Sequence, residues 1–167
     1  MNPYAIPTMT TLSAMKPKPY ALGTTFSLRL VKERSVRYPA SSAGTPQAAR
    51  DVMRALLSDR DCEHLAVVML DGRNEVIGAI VVATGGISNV VASVRDVFKG
   101  AIVGRASAIL LGHNHPSGDV RPSPEDDLFT ARVRAGADIL GIPMLDHVIV
   151  SSGRGDAMFS YHAEGRL

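Results

Sequence analysis

The 167-residue chain contains a single cysteine, Cys62. One thiol cannot close an internal disulfide, and it excludes zinc sites built from several cysteines. An excess of one charge is also missing: 18 Lys and Arg against 16 Asp and Glu leave a net charge of +2. That is too little for an electrostatic footprint on nucleic acid or on an anionic membrane. No apolar run approaches the roughly 18 residues of a membrane span. The stretch from Met1 to Tyr20 holds Pro3, Pro7, Pro17 and Pro19 and lacks an apolar h-region, so it does not read as a secretory signal. With 46% apolar and 20% charged residues, the chain has the composition of an ordinary globular domain with a sizeable core. A reduced, cytoplasmic protein that does not enter membranes is the expectation.

Residues 1 to 22 lack periodicity and are expected to form a flexible arm, followed by a single domain over residues 23–167. Thr24 to Val31 alternates apolar and polar residues, which predicts a strand with the character of an edge strand. Residues 36–46 are rich in Ser, Pro, Gly and Thr and read as a linker. Thr45 is a candidate N-cap with Pro46 at the first helical position, predicting a helix to about Leu57. Leu65 to Leu70 is a short apolar run suited to a buried strand, and Asp71 to Asn74 supplies the turn into a strand over Glu75 to Ala83. Ser93 and Asp96 have the spacing of a capping box before a helix whose apolar stripe is Val94, Val97, Phe98, Ala101 and Ile102. Ser107 to Leu111 predicts another buried strand. Ser123 and Pro124 open a second such helix, with Leu128, Ala131, Ala135 and Ile139 as its expected inward stripe and Gly141 and Pro143 as its stop. Met144 to Val150 and Ala157 to Tyr161 read as the final strands. The fold class is α/β or α+β: a sheet covered by helices.

Chemistry is concentrated where the strand over Ser107 to Leu111 ends. His113 and His115 are separated by one residue, and Ser123 and Asp126 follow within a 14-residue window. On an extended backbone side chains repeat every two residues, so both imidazoles can point to the same side. Two histidines and a carboxylate are three of the four ligands of a catalytic zinc, leaving one position for water. Pro116, Gly118 and Pro122 can turn the chain back, bringing Asp126 into the first turn of the next helix. Ser123 and Asp126 also form a capping box, and capping is compatible with ligation. A zinc hydrolase needs a general base as well, and Glu63 is the best placed, just before the buried strand. Glu75 and Glu125 are weaker candidates; a helix turns the Glu125 side chain about 100° from that of Asp126. Asp119 is a possible fourth ligand or supporting acceptor, with a turn-shaping role favoured. Asp146 and His147 face opposite sides of a strand, so one of them can support the site from behind the ligands, with a structural role favoured for His147. His64 should point away from the metal, His162 should be solvated, and Gly85-Gly86 lacks the lysine of a phosphate loop.

The segment HNHPSGDVRPSPED, together with LGIPMLDH at Leu140 to His147, resembles the RadC-like branch of the JAMM (MPN-plus) metalloproteases. The similarity runs from about Glu63 to the C-terminus. It implies a cytidine-deaminase-like mixed β-sheet flanked by helices, with Zn2+ held by His113, His115 and Asp126. It further implies Glu63 as the base that activates water and Ser123 as a stabiliser of the oxyanion. The implied reaction is hydrolysis of an amide or isopeptide bond in a protein or peptide substrate. The other implied role is a DNA repair or recombination accessory of the RadC kind, without peptidase activity. Full-length RadC proteins carry a helix-hairpin-helix region, and no such unit is legible in the residues before Glu63. A zinc deaminase is disfavoured because its ligands include paired cysteines. An HNH nuclease is disfavoured because its three residues are not contiguous. Neither the cognate substrate nor the oligomeric state is legible.

Overall fold

The computed structural model describes residues 27–38, 42–85, 92–153 and 155–167. Among them the elements are, in chain order, α1 (Pro46–Leu57), β1 (His64–Leu70), β2 (Val76–Thr84), α2 (Val94–Val103), β3 (Ala108–His115), α3 (Pro124–Leu140), β4 (Met144–Ser151) and β5 (Met158–Ser160). The strands form one mixed sheet in the order β2-β1-β3-β4-β5. β3 and β4 are parallel, and every other neighbouring pair is antiparallel. A parallel pair needs a crossover, and α3 is that crossover. The expected α/β class, a mixed sheet flanked by helices, is the observed one.

Helices cover both faces of the central strands, which explains why every residue of β1 is buried. Strand alternation divides the core in two. Ala66, Val68, Leu70 and Leu110 pack with Val52, Met53 and Leu57 of α1 on one face. Leu65, Val67, Met69, Ile109 and Leu111 pack with Val97 and Phe98 of α2 and Phe129 and Val133 of α3 on the other. A Cβ at Gly112 would lie 2.5 Å from Met53 Sδ, so a glycine there lets α1 sit close on β3. The local start signals work as read: the Thr45 hydroxyl accepts from the Ala48 N–H, with Pro46 in the first turn. Gly141, at φ 65°, ends α3 in the left-handed conformation.

Three expectations are corrected. Residues 27–31 are not in a strand and are exposed, although the predicted strand began earlier, at 24–26, outside the described residues. Alternation marks compatibility with a sheet edge, but an edge must accept the segment, and none of the described strands pairs with it. The expected inward stripe of α3 is the wrong one: Leu128 is 65% and Ile139 85% exposed, and Ala131 and Ala135 are exposed too. The buried stripe is Asp126, Phe129, Thr130, Val133 and Ala137. Both stripes have helical spacing, and the helix is rotated to bury the one that carries a carboxylate and a hydroxyl. On α2, Ile102 is 54% exposed and Gly100 takes its place in the interface. The arm over residues 1–22 lies outside the described residues. No helix among the described residues is long and apolar enough to cross a membrane.

Candidate metal centre

β3 runs further than expected, through both histidines to His115. Strand parity therefore extends the series Ile109, Leu111 to His113 and His115, and all four face α2 and α3. The first turn of α3 arrives on that face with Asp126. His113 Nε2 lies 3.3 Å from Asp126 Oδ1 and 3.0 Å from His115 Nε2. His115 Nε2 lies 3.7 Å from Asp126 Oδ2. One ligand atom from each of the three residues lies within 4.8 Å of the other two. A tetrahedral zinc with bonds of about 2.0–2.1 Å has donor–donor edges of about 3.3 Å, close to the two His113 distances.

Asp126 is held in two ways at once. Its Oδ2 accepts from the Ser123 backbone N–H at 2.8 Å and from the Ser123 hydroxyl at 2.7 Å, while the Asp126 N–H donates to Ser123 Oγ at 3.1 Å. The capping box thus anchors one carboxylate oxygen and leaves Oδ1 directed at His113. Burial pushes the Asp126 carboxyl up; with no cation in the site, His113 in its protonated form and the Ser123 bonds outweigh it and hold the group well below the usual carboxylate range.

The tautomers of both histidines follow from their other nitrogens. His115 Nδ1 lies 2.5 Å from the Asp119 carbonyl oxygen, which only accepts, so Nδ1 carries the proton and donates. His113 Nδ1 lies 2.9 Å from His147 Nε2, and His147 Nδ1 lies 2.6 Å from Thr130 Oγ1. Thr130 gives its single hydroxyl proton to the Asp126 carbonyl at 2.6 Å. His147 Nδ1 must then donate to Thr130. Burial pushes the His147 imidazole well below its ordinary range and favours its neutral form. A neutral His147 accepts at Nε2 from His113 Nδ1, and a neutral His113, the form that can ligate, then has its lone pair on Nε2. Two unprotonated ring nitrogens and a carboxylate oxygen converge on one point, and such a donor set fits a cation. The residues present therefore fit zinc.

Glu63, just before β1, shares the parity of Leu65, whose register partner on β3 is His113. It lines the same open cleft as His115, Ser117, Asp119, Arg121, Ser123, Glu125 and Asp126, with a volume of about 290 Å³. The middle residue of the H-x-H unit has its own task. Asn114 faces the opposite side, accepts from the His64 N–H at 2.8 Å, and donates to the Cys62 carbonyl at 3.0 Å and the Ser152 hydroxyl at 2.9 Å. It therefore clasps the backbone on either side of Glu63.

The outcome for the other residues is uneven. Asp119 shapes the loop: its carboxylate is paired with Arg121 and its carbonyl orients His115. His64 is buried, its ring bonded to the Cys62 carbonyl, and it does not line the cleft. His162 is exposed. Asp146 accepts from Ser160 Oγ and the His162 N–H, and burial pushes its carboxyl up. Asn114 and Thr130 carry no signal in the sequence, and for His147 the sequence favours a structural role while leaving open that it or Asp146 supports the site. Parity could have placed His147 on a face, but only the parallel register of β3 and β4, which sets Leu111 beside His147, brings it to His113.

A mixed sheet with helices on both faces, carrying a His–His–Asp cluster at the end of a central strand, defines the class as a JAB-type α/β domain. Residues 43–166 match the family model of the RadC-like JAB domain, and the chain belongs to that family. It is 40% identical over 143 residues to a UPF0758 protein of Rubrobacter xylanophilus, covering 84% of this chain and 61% of the relative. A UPF0758 protein of Trichodesmium erythraeum is 42% identical over 109 residues, 65% of this chain and 45% of the relative. One from Caldanaerobacter subterraneus subsp. tengcongensis is 47% identical over 93 residues, 56% of this chain and 40% of the relative. The chain thus spans between two fifths and three fifths of the length of these relatives. Their names state no activity.

Proposed function

We propose that the domain is a zinc-dependent metallopeptidase or isopeptidase. The observation that carries this reading is the convergence of the Nε2 atoms of His113 and His115 with the Asp126 carboxylate, at the floor of the cleft that His115, Asp126 and Glu63 line. A zinc ion held by these three residues supplies a Lewis acid that polarises a carbonyl and makes water more acidic. Glu63 takes the proton of the attacking water on a carboxylate oxygen and hands it to the leaving amine. Ser123 keeps Asp126 oriented through its backbone N–H, and its hydroxyl can turn from Asp126 towards an oxyanion in the cleft. Glu63, Asp119, Glu125 and Asp126 surround the opening against the single Arg121. That lining disfavours phosphate-rich substrates and suits a neutral or basic peptide tail.

The test compares zinc-loaded protein with its Glu63→Gln variant on a library of peptides and ubiquitin-like isopeptide conjugates, with products read by mass spectrometry. The parent should cleave. The variant should keep its zinc and lose roughly 100-fold or more in rate. Equal turnover would remove Glu63 from the mechanism, and no cleavage by zinc-loaded parent would sink the peptidase reading.

A further inference from the structure

The relay behind His113 consists of buried groups that neither bind the cation nor face the cleft. Thr130 and His147 are each at most 3% exposed. With His113 ligating through Nε2, the bonds run in one direction: His113 Nδ1 to His147 Nε2, His147 Nδ1 to Thr130 Oγ1, and Thr130 Oγ1 to the carbonyl of Asp126. The chain thus begins on one ligand residue and ends on the backbone of another. It crosses from β3 to β4 and then to the first turns of α3, three elements that the sequence keeps apart. Tyr161 stacks on His147 with ring planes 4° apart and centroids at 4.9 Å, which restrains the tilt of the imidazole.

We infer that His147 is a positioning residue for the metal centre, which with Thr130 fixes the ligating nitrogen of His113 and ties it to the helix turn bearing Asp126. The inference rests on the metal reading above and adds what holds its geometry. Geometry carries it: a continuous buried chain of hydrogen bonds links the two ligand residues, and His113 can ligate through Nε2 only when that chain runs this way. A hydroxyl 2.6 Å from a carbonyl oxygen must donate to it, so Thr130 can only accept from His147. Turned the other way, the relay would place a proton on His113 Nε2, which then could not ligate. Partners of this kind, one bond removed from a metal, typically change affinity by about 10- to 100-fold when removed.

Two measurements test it, neither of them activity. The first is a long-range 1H–15N spectrum of the histidines in metal-free parent protein. The expected result is the Nδ1–H tautomer for His113; the Nε2–H tautomer would overturn the inference. The second is zinc affinity by competition with a chromogenic chelator. His147→Leu should weaken zinc binding about 10- to 100-fold. His147→Gln, whose amide offers one acceptor and one donor, should recover part of that loss. Thr130→Val, nearly the same shape, should weaken binding in the same direction and allow His113 to populate the Nε2–H form. It also covers the case in which His147→Leu does not fold. A merely structural His147 would lower the melting temperature and leave the affinity of the folded variants within twofold of the parent, and that result would overturn the inference. Parent protein that binds no zinc would instead sink the metal reading itself, so the two failures are distinguishable.

Discussion

Helices α2 and α3 open with the same device. Ser93 caps α2 with Asp96 at the third position, and Ser123 caps α3 with Asp126. The bonds correspond one by one: the serine hydroxyl donates to the aspartate at 2.6 Å in the first box and 2.7 Å in the second. The return bond from the aspartate N–H to the serine oxygen is 3.3 Å and 3.1 Å. Yet the Asp96 side chain is 40% exposed and pairs with Lys99, while that of Asp126 is 3% exposed and faces two imidazoles. The local geometry satisfies helix termini in both cases. What differs is the element the free oxygen meets: solvent and a lysine on α2, the end of β3 on α3.

The largest expected effect that tests this contrast is at the aspartates. Asn at the third position keeps a capping acceptor but has no negative charge. Asp126→Asn should therefore lose on the order of 100-fold or more in zinc affinity, beyond what outer partners usually give, while Asp96→Asn should bind zinc as the parent does. Equal affinities in a chelator competition would mean that the two boxes do the same job. At the serines the contrast narrows. Ser93→Ala and Ser123→Ala should each cost about 1 kcal/mol of stability, read from denaturant midpoints. Only the second should also weaken zinc binding, by about tenfold, because it releases the anchored oxygen of Asp126. The same zinc affinity in both variants would confine Ser123 to capping.

The smallest effect concerns an exposed carboxylate in the same cleft. Hydrogen bonds from Arg121, then its charge, hold Asp119 down to about 2. A depressed carboxylate contributes stability that is present above the ordinary value near ~3.9 and is lost as pH falls towards about 2. Because both side chains are exposed to solvent, the contribution is small. Arg121→Gln should return the Asp119 midpoint towards the ordinary value in a carboxyl 13C titration. An unmoved midpoint would assign the shift to the loop backbone instead.

Signals that act within a few residues were legible. The Thr45 cap, both Ser-x-x-Asp boxes and the Gly141 stop are short-range chemistry and hold in the structure. The pair His113 and His115 was legible because parity on a strand is a property of the backbone itself. The rotation of α3 was not. Leu128, Ala131, Ala135 and Ile139 satisfy helical spacing as well as the buried stripe does, and apolar periodicity is blind to a stripe that begins with Asp126 and includes Thr130. Residues 27–31 show the same limit for strands, since alternation carries no information about whether an edge will take the segment.

Ligand types, their spacing, the caps and the family motif are all legible in the order of residues, because they depend on bonds and backbone periods that reach only a few residues. Tertiary structure decided which of two identical caps meets a pair of imidazoles. It also decided that a histidine 34 residues further along stands behind the first of them. Those outcomes depend on strand register and helix rotation, which are set by packing across the whole sheet.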